Sequence, residues 1–298
     1  MEPFKPFPQC VDCLMGLAHQ AATQVAEGNA DFVSEAEGLA REILSDAGRK
    51  GMTSPEAANC ILREIERRSG VSDPYAGFKT REMARARRVF LKLGEHVGGD
   101  LRSRVSLAVL GNSLDFFTDP DEALSDIQDQ IKRGVSFFHD DIGKLESFLS
   151  NGPPLVLYLT DNAGEVYFDE PLFEYVREQS ERVILMVKGG PSLNDATRVE
   201  LRQASLEKRF PEIADTGTDG VGIDWKYVSA EFMDLFNRAD LILSKGMANF
   251  ESIYPRDVPS PVFFLFKAKC QPIRDYLKAP AEGYWALWRD GHAKGGHQ

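Results

Sequence analysis

Oxygen-bearing side chains follow two short apolar runs of the sequence. In PPLVLYLTDNAGE the run is followed by Asp161 and Asn162. In RVILMVKGGPSLNDAT the run is followed by Lys188, Asn194 and Asp195. Two carboxylates and a carboxamide are hard oxygen donors, which suit magnesium or manganese and suit zinc or copper poorly. These residues therefore predict a site for a divalent metal ion.

A third apolar run, DLILS, leads into KGMANFE, which contains Lys245, Gly246 and Asn249. A lysine facing a divalent ion supplies a point charge for a phosphate group. A helix beginning at Gly246 would add backbone N–H donors for the same group. Between the second and third runs lies DTGTDGVGIDW, residues 215–225, whose glycines would allow a ligand to approach the backbone closely. Together with the metal ligands, these residues predict a phosphate-ester site.

The apolar pattern after Pro154 predicts a parallel sheet that would bring these residues together. Short, nearly continuous apolar runs at 155–159, 182–187, 240–244 and 262–266 alternate with segments of helical spacing. This pattern is typical of strands covered on both faces by helices. Because the carboxyl ends of parallel strands lie at one edge of the sheet, we expect the polar residues to converge there.

The first half of the chain has helical spacing instead. In TSPEAANCILREIERRSG, Thr53 and Glu56 form the pattern of a capping box, and Gly70 ends the predicted helix. The sequence thus predicts an α/β protein with a helical domain at 1–150 and a Rossmann-like domain at 151–298. The second domain is expected to hold a mostly parallel sheet with helices on both faces.

Charge and composition limit the classes of partner. The 298 residues include 35 Lys and Arg against 46 Asp and Glu, a formal net charge of -11. This excess of negative charge argues against nucleic acid or an anionic membrane as a partner. The segment MEPFKPFPQCVDC lacks an apolar signal region, and no run reaches the roughly 18 apolar residues of a membrane span. We therefore expect a cytoplasmic protein; the sequence does not indicate its oligomeric state.

Helix capping is the competing explanation for the polar residues. Asn162 precedes Glu165 by three residues, which is the pattern of an amino-terminal cap, and Asn194 or Asp195 could cap the helix that follows. Taken separately, Lys245 resembles an ordinary surface lysine. The expected convergence of all these residues at one sheet edge favours the functional interpretation.

A CxxC pair, Cys10 and Cys13, supports a different function. The chain has four cysteines, too few for a disulfide scaffold. A structural zinc needs four ligands, so Cys60, Cys270 or His19 would have to join the pair on folding. Packing of the two thiols as small apolar groups in a helix is the simpler interpretation. A metal- or redox-binding protein centred on the pair is the main alternative function.

Other motifs are absent or altered. GTDGVG departs from GxGxxG, and no GxxxxGK[ST] occurs, so binding of a dinucleotide or a nucleoside triphosphate lacks support. A small-molecule transferase on the same sheet would be favoured by a glycine-rich turn after the first strand, where TDNAGE stands instead. An aspartyl-phosphate enzyme needs a second acid two residues after its nucleophile, and here that residue is Ala163. Asp161 is therefore predicted to be a metal ligand and not a covalent nucleophile.

The motif set resembles a known family. TDNAGE, KGGPSLNDAT, DTGTDGVGIDW and SKGMANFE are similar in order and spacing to the motifs of the metal-dependent damage-control phosphatases, long catalogued as a domain of unknown function. The CxxC and GNSLDFF at 111–117 resemble the short prokaryotic branch of that family. The resemblance implies a phosphatase that requires cobalt, manganese, nickel or magnesium. It would hydrolyse phosphate esters of small metabolites, such as sugar phosphates or damaged metabolites, by metal-activated water.

The resemblance also implies roles for individual residues. The implied metal ligands are Asp161, Asn162 and Asp195, and the implied substrate-binding residues are Lys245, Asn112, Asp115 and Asn249. Asn112 and Asp115 would line the site from the helical half, so that the pocket forms between the two halves. Either Asp161 or Asp195 would orient the attacking water.

Overall fold

The computed structural model describes residues 8–93, 98–112 and 120–292. Within these ranges a helical amino-terminal region precedes a seven-stranded, mostly parallel sheet with helices on both faces. The predicted fold class is therefore confirmed. No helix in the described ranges is both long and apolar enough to cross a membrane.

Six helices form the amino-terminal region: α1 (Pro8–Val25), α2 (Ala30–Lys50), α3 (Ser54–Ser69), α4 (Ala76–Leu93), α5 (Leu101–Gly111) and α6 (Pro120–Arg133). The predicted capping box begins α3, because Thr53 Oγ1 accepts the N–H of Glu56 and the Glu56 carboxylate accepts the N–H of Thr53. Gly70, in the left-handed conformation, ends the helix as predicted. Buried alanines fill much of the space between α1, α2 and α3, so these helices pack closely.

The sheet contains β1 (Phe137–Asp140), β2 (Leu155–Leu159), β3 (Arg182–Val187), β4 (Ile213–Asp215), β5 (Leu241–Lys245), β6 (Val262–Ala268) and β7 (Gly283–Arg289). The strand order is β1-β7-β6-β5-β2-β3-β4, and only the β6–β7 pair is antiparallel. The helices that follow β1 are α7 (Ile142–Leu149), α8 (Val166–Glu178), α9 (Arg198–Gln203), α10 (Ala230–Arg238), α11 (Met247–Ile253) and α12 (Gln271–Leu277).

The four predicted strands correspond to β2, β3, β5 and β6. β1, β4 and β7 were not predicted from the sequence. β4 has only three residues, and the burial of β1 alternates between partial and exposed, so neither contains a continuous apolar run. β1 lies before residue 150 and pairs with β7, so the range predicted as a helical domain contributes a strand to the sheet. The division into two domains at 150 stays a prediction.

Side chains from the two faces of the sheet enter separate cores. Val156 and Tyr158 of β2 pack with residues of α5 and α8, whereas Leu157 and Leu159 pack with residues of α10 and α11. Every residue of β2 is buried. This burial on both faces explains why the central strands are continuously apolar in the sequence.

Candidate active site at the carboxyl edge of the sheet

Two loops that leave the carboxyl ends of β2 and β3 are joined by backbone contacts. Asn162 and Asp195 form an isolated antiparallel bridge. The N–H of Ala196 donates to the carbonyl of Asp161 at 2.9 Å. These contacts place Asp161, Asn162 and Asp195 together at the sheet edge, where the sequence predicted that they would converge.

Two carboxamides bind the same carboxylates in this loop. Asn112, at the end of α5, donates through Nδ2 to Asp161 Oδ2 at 2.8 Å and to Glu165 Oε1 at 2.7 Å. Asn162 donates to the same two oxygens, at 3.4 Å to Asp161 and 2.5 Å to Glu165. The helical region therefore reaches the sheet edge through Asn112, which connects the two halves of the molecule at the site.

Gly246 is the residue that allows Asp161 to approach β5. It has φ +83 and ψ 160, and it precedes the first residue of α11, where a helix start was predicted. A Cβ atom on Gly246 would stand 2.2 Å from Cγ of Asp161. Glycine is thus required both for the backbone conformation and for the space that the carboxylate occupies.

We expect Gly246→Ala to lower activity and stability together. The methyl group would displace the Asp161 carboxylate, and the backbone conformation alone would reduce stability by about 1–3 kcal/mol. Turnover of a phosphate ester and the urea unfolding midpoint measure the two effects. Gly38→Ala in α2 is the matched control, since no atom lies within 4 Å of its added Cβ and alanine should stabilise that helix by roughly 0.5–1 kcal/mol. Wild-type turnover and stability in Gly246→Ala would contradict this assignment.

Lys245, the last residue of β5, is fully buried and paired with two carboxylates. Its Nζ donates to Asp169 Oδ1 at 2.6 Å and to Glu165 Oε2 at 3.1 Å, and Tyr158 Oη donates to the same Asp169 oxygen at 3.0 Å. Burial opposes the lysine charge, but Asp169 and Glu165 outweigh it and raise the pKa of Lys245. Lys245 therefore neutralises carboxylates at the base of the site, and its predicted contact with phosphate stays a prediction.

Asn249 of α11 has one satisfied and one unsatisfied polar group. Its Nδ2 donates to the carbonyls of Lys245, at 2.8 Å, and Thr160, at 3.0 Å. Its Oδ1 is buried and has no hydrogen-bond partner in the part of the chain that the structure describes. A buried oxygen of this kind is normally satisfied by water, a metal or a ligand.

The carboxyl groups of the site raise one another's pKa values. Burial, followed by the charges of Glu165 and Asp195, raises the pKa of Asp161 well above its ordinary value. Burial also raises the pKa of Asp195, although Lys188 opposes the shift. Glu82 of α4, which accepts the carboxamide of Asn194 at 3.2 Å, has its pKa raised to about 8 by burial and then by Glu165. The acids of the site thus outnumber the lysines that pair with them, so protons or a cation must balance their charge.

Hard oxygen donors with excess negative charge fit a divalent cation. Asp161, Asn162 and Asp195 supply two carboxylates and a carboxamide next to one another, as predicted from the sequence. Within the described ranges, no three His, Cys, Asp or Glu side chains already stand in a metal-binding arrangement. The three predicted ligands include only two acids, and the third donor is the carboxamide of Asn162.

Asp195 is held from the opposite side by Lys188, which follows β3. Lys188 Nζ lies 3.4 Å from Asp195 Oδ2 and also donates to the carbonyl of Gly222 in the glycine-rich loop. Gly222 has φ +65, and a Cβ on it would lie 2.5 Å from the carbonyl oxygen of Ala248. The close approach seen at this glycine is to α11, and the predicted approach of a ligand to the loop stays a prediction.

Helix α3 fixes the same glycine-rich loop. Asn59 Oδ1 accepts the N–H of Val221 at 2.7 Å, and Arg63 donates to Asp219 at 2.6 Å. Arg63 also lies 2.8 Å from the carboxylate of Asp224. Through the loop and Lys188, α3 therefore contributes to the position of Asp195.

The capping explanation for the polar residues is wrong. Asn162 precedes a short 3₁₀ helix, Ala163–Glu165, but its side chain makes no capping hydrogen bond there. Helix α9 is capped by Thr197, which forms a capping box with Glu200, and not by Asn194 or Asp195. The polar side chains at the sheet edge are consequently free of this structural role.

A family comparison agrees with this geometry. The model of the damage-control phosphatase ARMT1-like domain matches residues 7–283 of the chain. The chain belongs to the damage-control phosphatase family. This membership confirms the resemblance inferred from the motifs and makes the protein a phosphatase. It leaves the thiol-centred protein and the transferase without support as the main function.

Individual relatives cover nearly the whole chain. A damage-control phosphatase of Pyrococcus horikoshii is 34% identical, over 91% of this chain and 94% of the relative. A damage-control phosphatase of Archaeoglobus fulgidus is 31% identical, over 89% and 93%. The crystal structure of a DUF89 family protein from Pyrococcus horikoshii matches with a TM-score of 0.86 at 31% identity, covering 94% of this chain and 98% of that chain.

Some predicted residues lie elsewhere, and some residues of the site were not predicted. Asp115 lies outside the described residues. Cys10 and Cys13 lie on α1 and belong to no part of the sheet-edge site described above. Three acids of the site or its base were not predicted as site residues: Glu82, Glu165 and Asp169. The available signal was helical spacing, because Glu82 is in phase with the buried apolar residues of α4 and Asp169 with those of α8.

Proposed function

We propose that the protein is a metal-dependent phosphomonoester hydrolase acting on small phosphorylated metabolites, such as sugar phosphates or damaged metabolites. The observation that carries this proposal is the backbone bridge between Asn162 and the buried Asp195, which brings Asp161, Asn162 and Asp195 together in a crowded group of acids. Family membership supports the reaction type. The same negative charge means that an anionic substrate requires a cation at the site.

Asp161, Asn162 and Asp195 would hold the metal ion. When bound, an ion such as Mn²⁺, Co²⁺, Ni²⁺ or Mg²⁺ polarises a phosphoryl oxygen and lowers the pKa of a nearby water. The hard oxygen donors favour ions of this kind over copper. No covalent enzyme intermediate is needed, because water can attack the phosphoryl group directly.

The chain's own residues orient the attacking water. Asp161 is held through Oδ2 by Asn112 and Asn162, and Asp195 contacts Lys188 through its own Oδ2. We assign Oδ1 of one of these aspartates to accept a hydrogen bond, and then a proton, from the water. Either aspartate can take this role, because burial raises the pKa of both.

Two lysines, Lys245 and Lys269, would help to balance the charge of a phosphate group at the site. Lys245 neutralises Glu165 and Asp169, which limits the negative charge that a phosphate meets. Burial and the neighbouring acids raise the pKa of Asp161, while Lys245 and the exposed Lys269, just after β6, oppose that rise. Lys269 follows β6, and the neighbouring strand β5 leads into Gly246 beside Asp161, so Lys269 is our candidate for direct pairing with phosphate. Substrate contacts of Asn112, Asn249 and Asp115 remain predictions.

Removal of metal should abolish hydrolysis. We expect protein treated with excess chelator to release no phosphate from a panel of sugar phosphates and other small phosphate esters. Addition of Mn²⁺, Co²⁺, Ni²⁺ or Mg²⁺ should restore release, because oxygen ligands exchange these ions reversibly. The measurement is inorganic phosphate released, with elemental analysis of the same samples. Full activity in chelator, with no metal detected, would refute the proposal.

A further inference from the structure

Helix α4 carries two buried charged residues, Lys79 and Glu82. They are three residues apart, so their side chains are neighbours on one face of the helix. Each residue is only 1% exposed. Because a buried charge is costly unless it is paired, the partners of these two side chains show which part of the protein α4 holds.

Lys79 reaches the loop after β3 through Glu200. Its Nζ lies 2.8 Å from Oδ2 of Asp73, shortly before α4, and 2.7 Å from Oε1 of Glu200 in α9. The other carboxylate oxygen of Glu200 accepts the N–H of Thr197 at 3.0 Å and also accepts the Thr197 hydroxyl. Burial opposes the charge of Lys79, but the two carboxylates outweigh it and raise the pKa of the lysine. Glu200 therefore connects the cation of α4 to the residue two places after Asp195.

Glu82 reaches the same loop on the other side of Asp195. Its carboxylate accepts from Nδ2 of Asn194, at 3.2 Å through Oε1 and at 3.4 Å through Oε2. The carbonyl of Asn194 accepts the N–H of Ala163 at 2.8 Å, which connects it to the loop after β2. Helix α4 also packs against the 3₁₀ helix at Ala163–Glu165. Helix α4 thus contacts both loops that carry the proposed metal ligands.

The backbone of the loop after β3 needs such support. Leu193, directly before Asn194, has φ +48, in the left-handed region that residues with a Cβ atom rarely adopt. A backbone conformation of this kind persists only where the surrounding contacts hold it. The contacts from α4 hold the chain on both sides of Asp195, at Asn194 and at Thr197.

We propose that Lys79 and Glu82 are positioning residues for Asp195. Glu82 holds the residue immediately before this aspartate, and Lys79, through Glu200, holds the residue two places after it. The inference rests on the proposed function, in which Asp195 binds a divalent ion. Groups that orient metal ligands contribute to metal affinity, and their loss typically lowers it by about 10- to 100-fold. Neither Lys79 nor Glu82 is assigned a contact with the metal or the substrate.

Hydrogen exchange of the metal-free, full-length protein tests the positioning role directly. In Lys79→Met and, separately, in Asn194→Ala, the amides of residues 192–200 should exchange faster than in the wild type, because one contact with α4 is lost. The amides of β2 should be less affected. Leu44→Ala is the matched control for a general loss of stability, since Leu44 is a buried residue of α2 that packs between the amino-terminal helices. Exchange at 192–200 should stay at the wild-type rate in this control.

Manganese binding gives a readout that a loss of stability alone does not change. At a temperature where circular dichroism shows every variant to be folded, Lys79→Met and Asn194→Ala should bind Mn²⁺ about tenfold more weakly than the wild type. Their kcat should recover at saturating Mn²⁺, because the bound ion itself draws Asp195 into place. Glu82→Gln keeps an oxygen acceptor for Asn194 and should retain the Mn²⁺ affinity of the wild type, whereas Glu82→Met should lose it.

Three results would overturn the proposal. The first is wild-type Mn²⁺ affinity in folded Lys79→Met and Asn194→Ala, and the second is unchanged exchange of residues 192–200 in both. The third is an equal loss of affinity in Glu82→Gln and Glu82→Met, which would assign the effect of Glu82 to its charge. The exchange measurement needs neither metal nor substrate. It therefore decides the positioning role even if the wild type binds no Mn²⁺, a result that would refute the proposed function instead.

Discussion

Replacing Asp161 with asparagine should abolish phosphate release while the protein remains folded. The substitution keeps the shape of the side chain but removes a negative ligand from the proposed metal site. We expect kcat/KM to fall by more than about 100-fold, the scale on which one electrostatic group at a reaction centre affects turnover. Asp195→Asn should behave in the same way, since both aspartates lie on the bridged loops and both are proposed metal ligands.

The substitution Asp161→Asn should leave the stability of the metal-free protein unchanged or raise it. Burial, and then the charges of Glu165 and Asp195, raise the pKa of the half-buried Asp161, so a neutral side chain relieves repulsion. The unfolding midpoint without metal should therefore stay constant or rise. Asp257→Asn is the matched control, because the Asp257 side chain is 93% exposed and lies outside the site. Turnover and metal stoichiometry at wild-type levels in both Asp161→Asn and Asp195→Asn would show that the chemistry lies elsewhere.

The central sheet could be predicted because its strands are buried on both faces. Such strands need apolar residues at every position, and this produces the continuous runs seen for β2, β3, β5 and β6. β7 lies between β1 and β6, and several of its residues are only partly buried. Its sequence, GYWALWR, accordingly carries a weaker strand signal.

The three proposed metal ligands could also be predicted from the sequence, but most of the residues that hold them in place could not. Asp161 and Asn162 come shortly after β2, and Asp195 lies in the loop that follows β3. Parallel topology brings the carboxyl ends of these strands to one edge of the sheet. Glu82 and Asn112 reach the same place from the helical region, through packing that no local pattern specifies. Asn112 was therefore expected at the site only through the family resemblance, and Glu82 was not expected there. Asp169 lies one helical turn beyond Glu165, and only knowledge of the position of Lys245 would explain an acid on that buried face.

Replacing Lys245 with methionine should cause the largest loss of stability. Methionine fills a similar volume but leaves Asp169 and Glu165 buried without their cation. Removing one partner of a buried ion pair destabilises proteins by about 3–5 kcal/mol. Urea unfolding measures the change, and Lys208→Met, at an exposed lysine, should alter stability little. Unchanged stability in Lys245→Met would show that Lys245 does not hold these carboxylates in the folded protein.

The pH dependence of the stability lost in Lys245→Met identifies which carboxyl group causes the loss. In the wild type, burial raises the pKa of Asp169 from 3.8 to about 6, while Lys245 opposes the rise. A carboxyl whose pKa is higher in the folded state holds its extra proton there, so stability falls as pH increases through that interval. Without Lys245 the folded-state pKa should rise further. The loss of stability in Lys245→Met relative to wild type should therefore be larger near about pH 8 than near about pH 5.

Adding Asp169→Asn to Lys245→Met should recover part of the lost stability, because it removes one uncompensated charge and keeps an acceptor for Tyr158. A deficit that is independent of pH and unaffected by Asp169→Asn would assign the loss to packing alone.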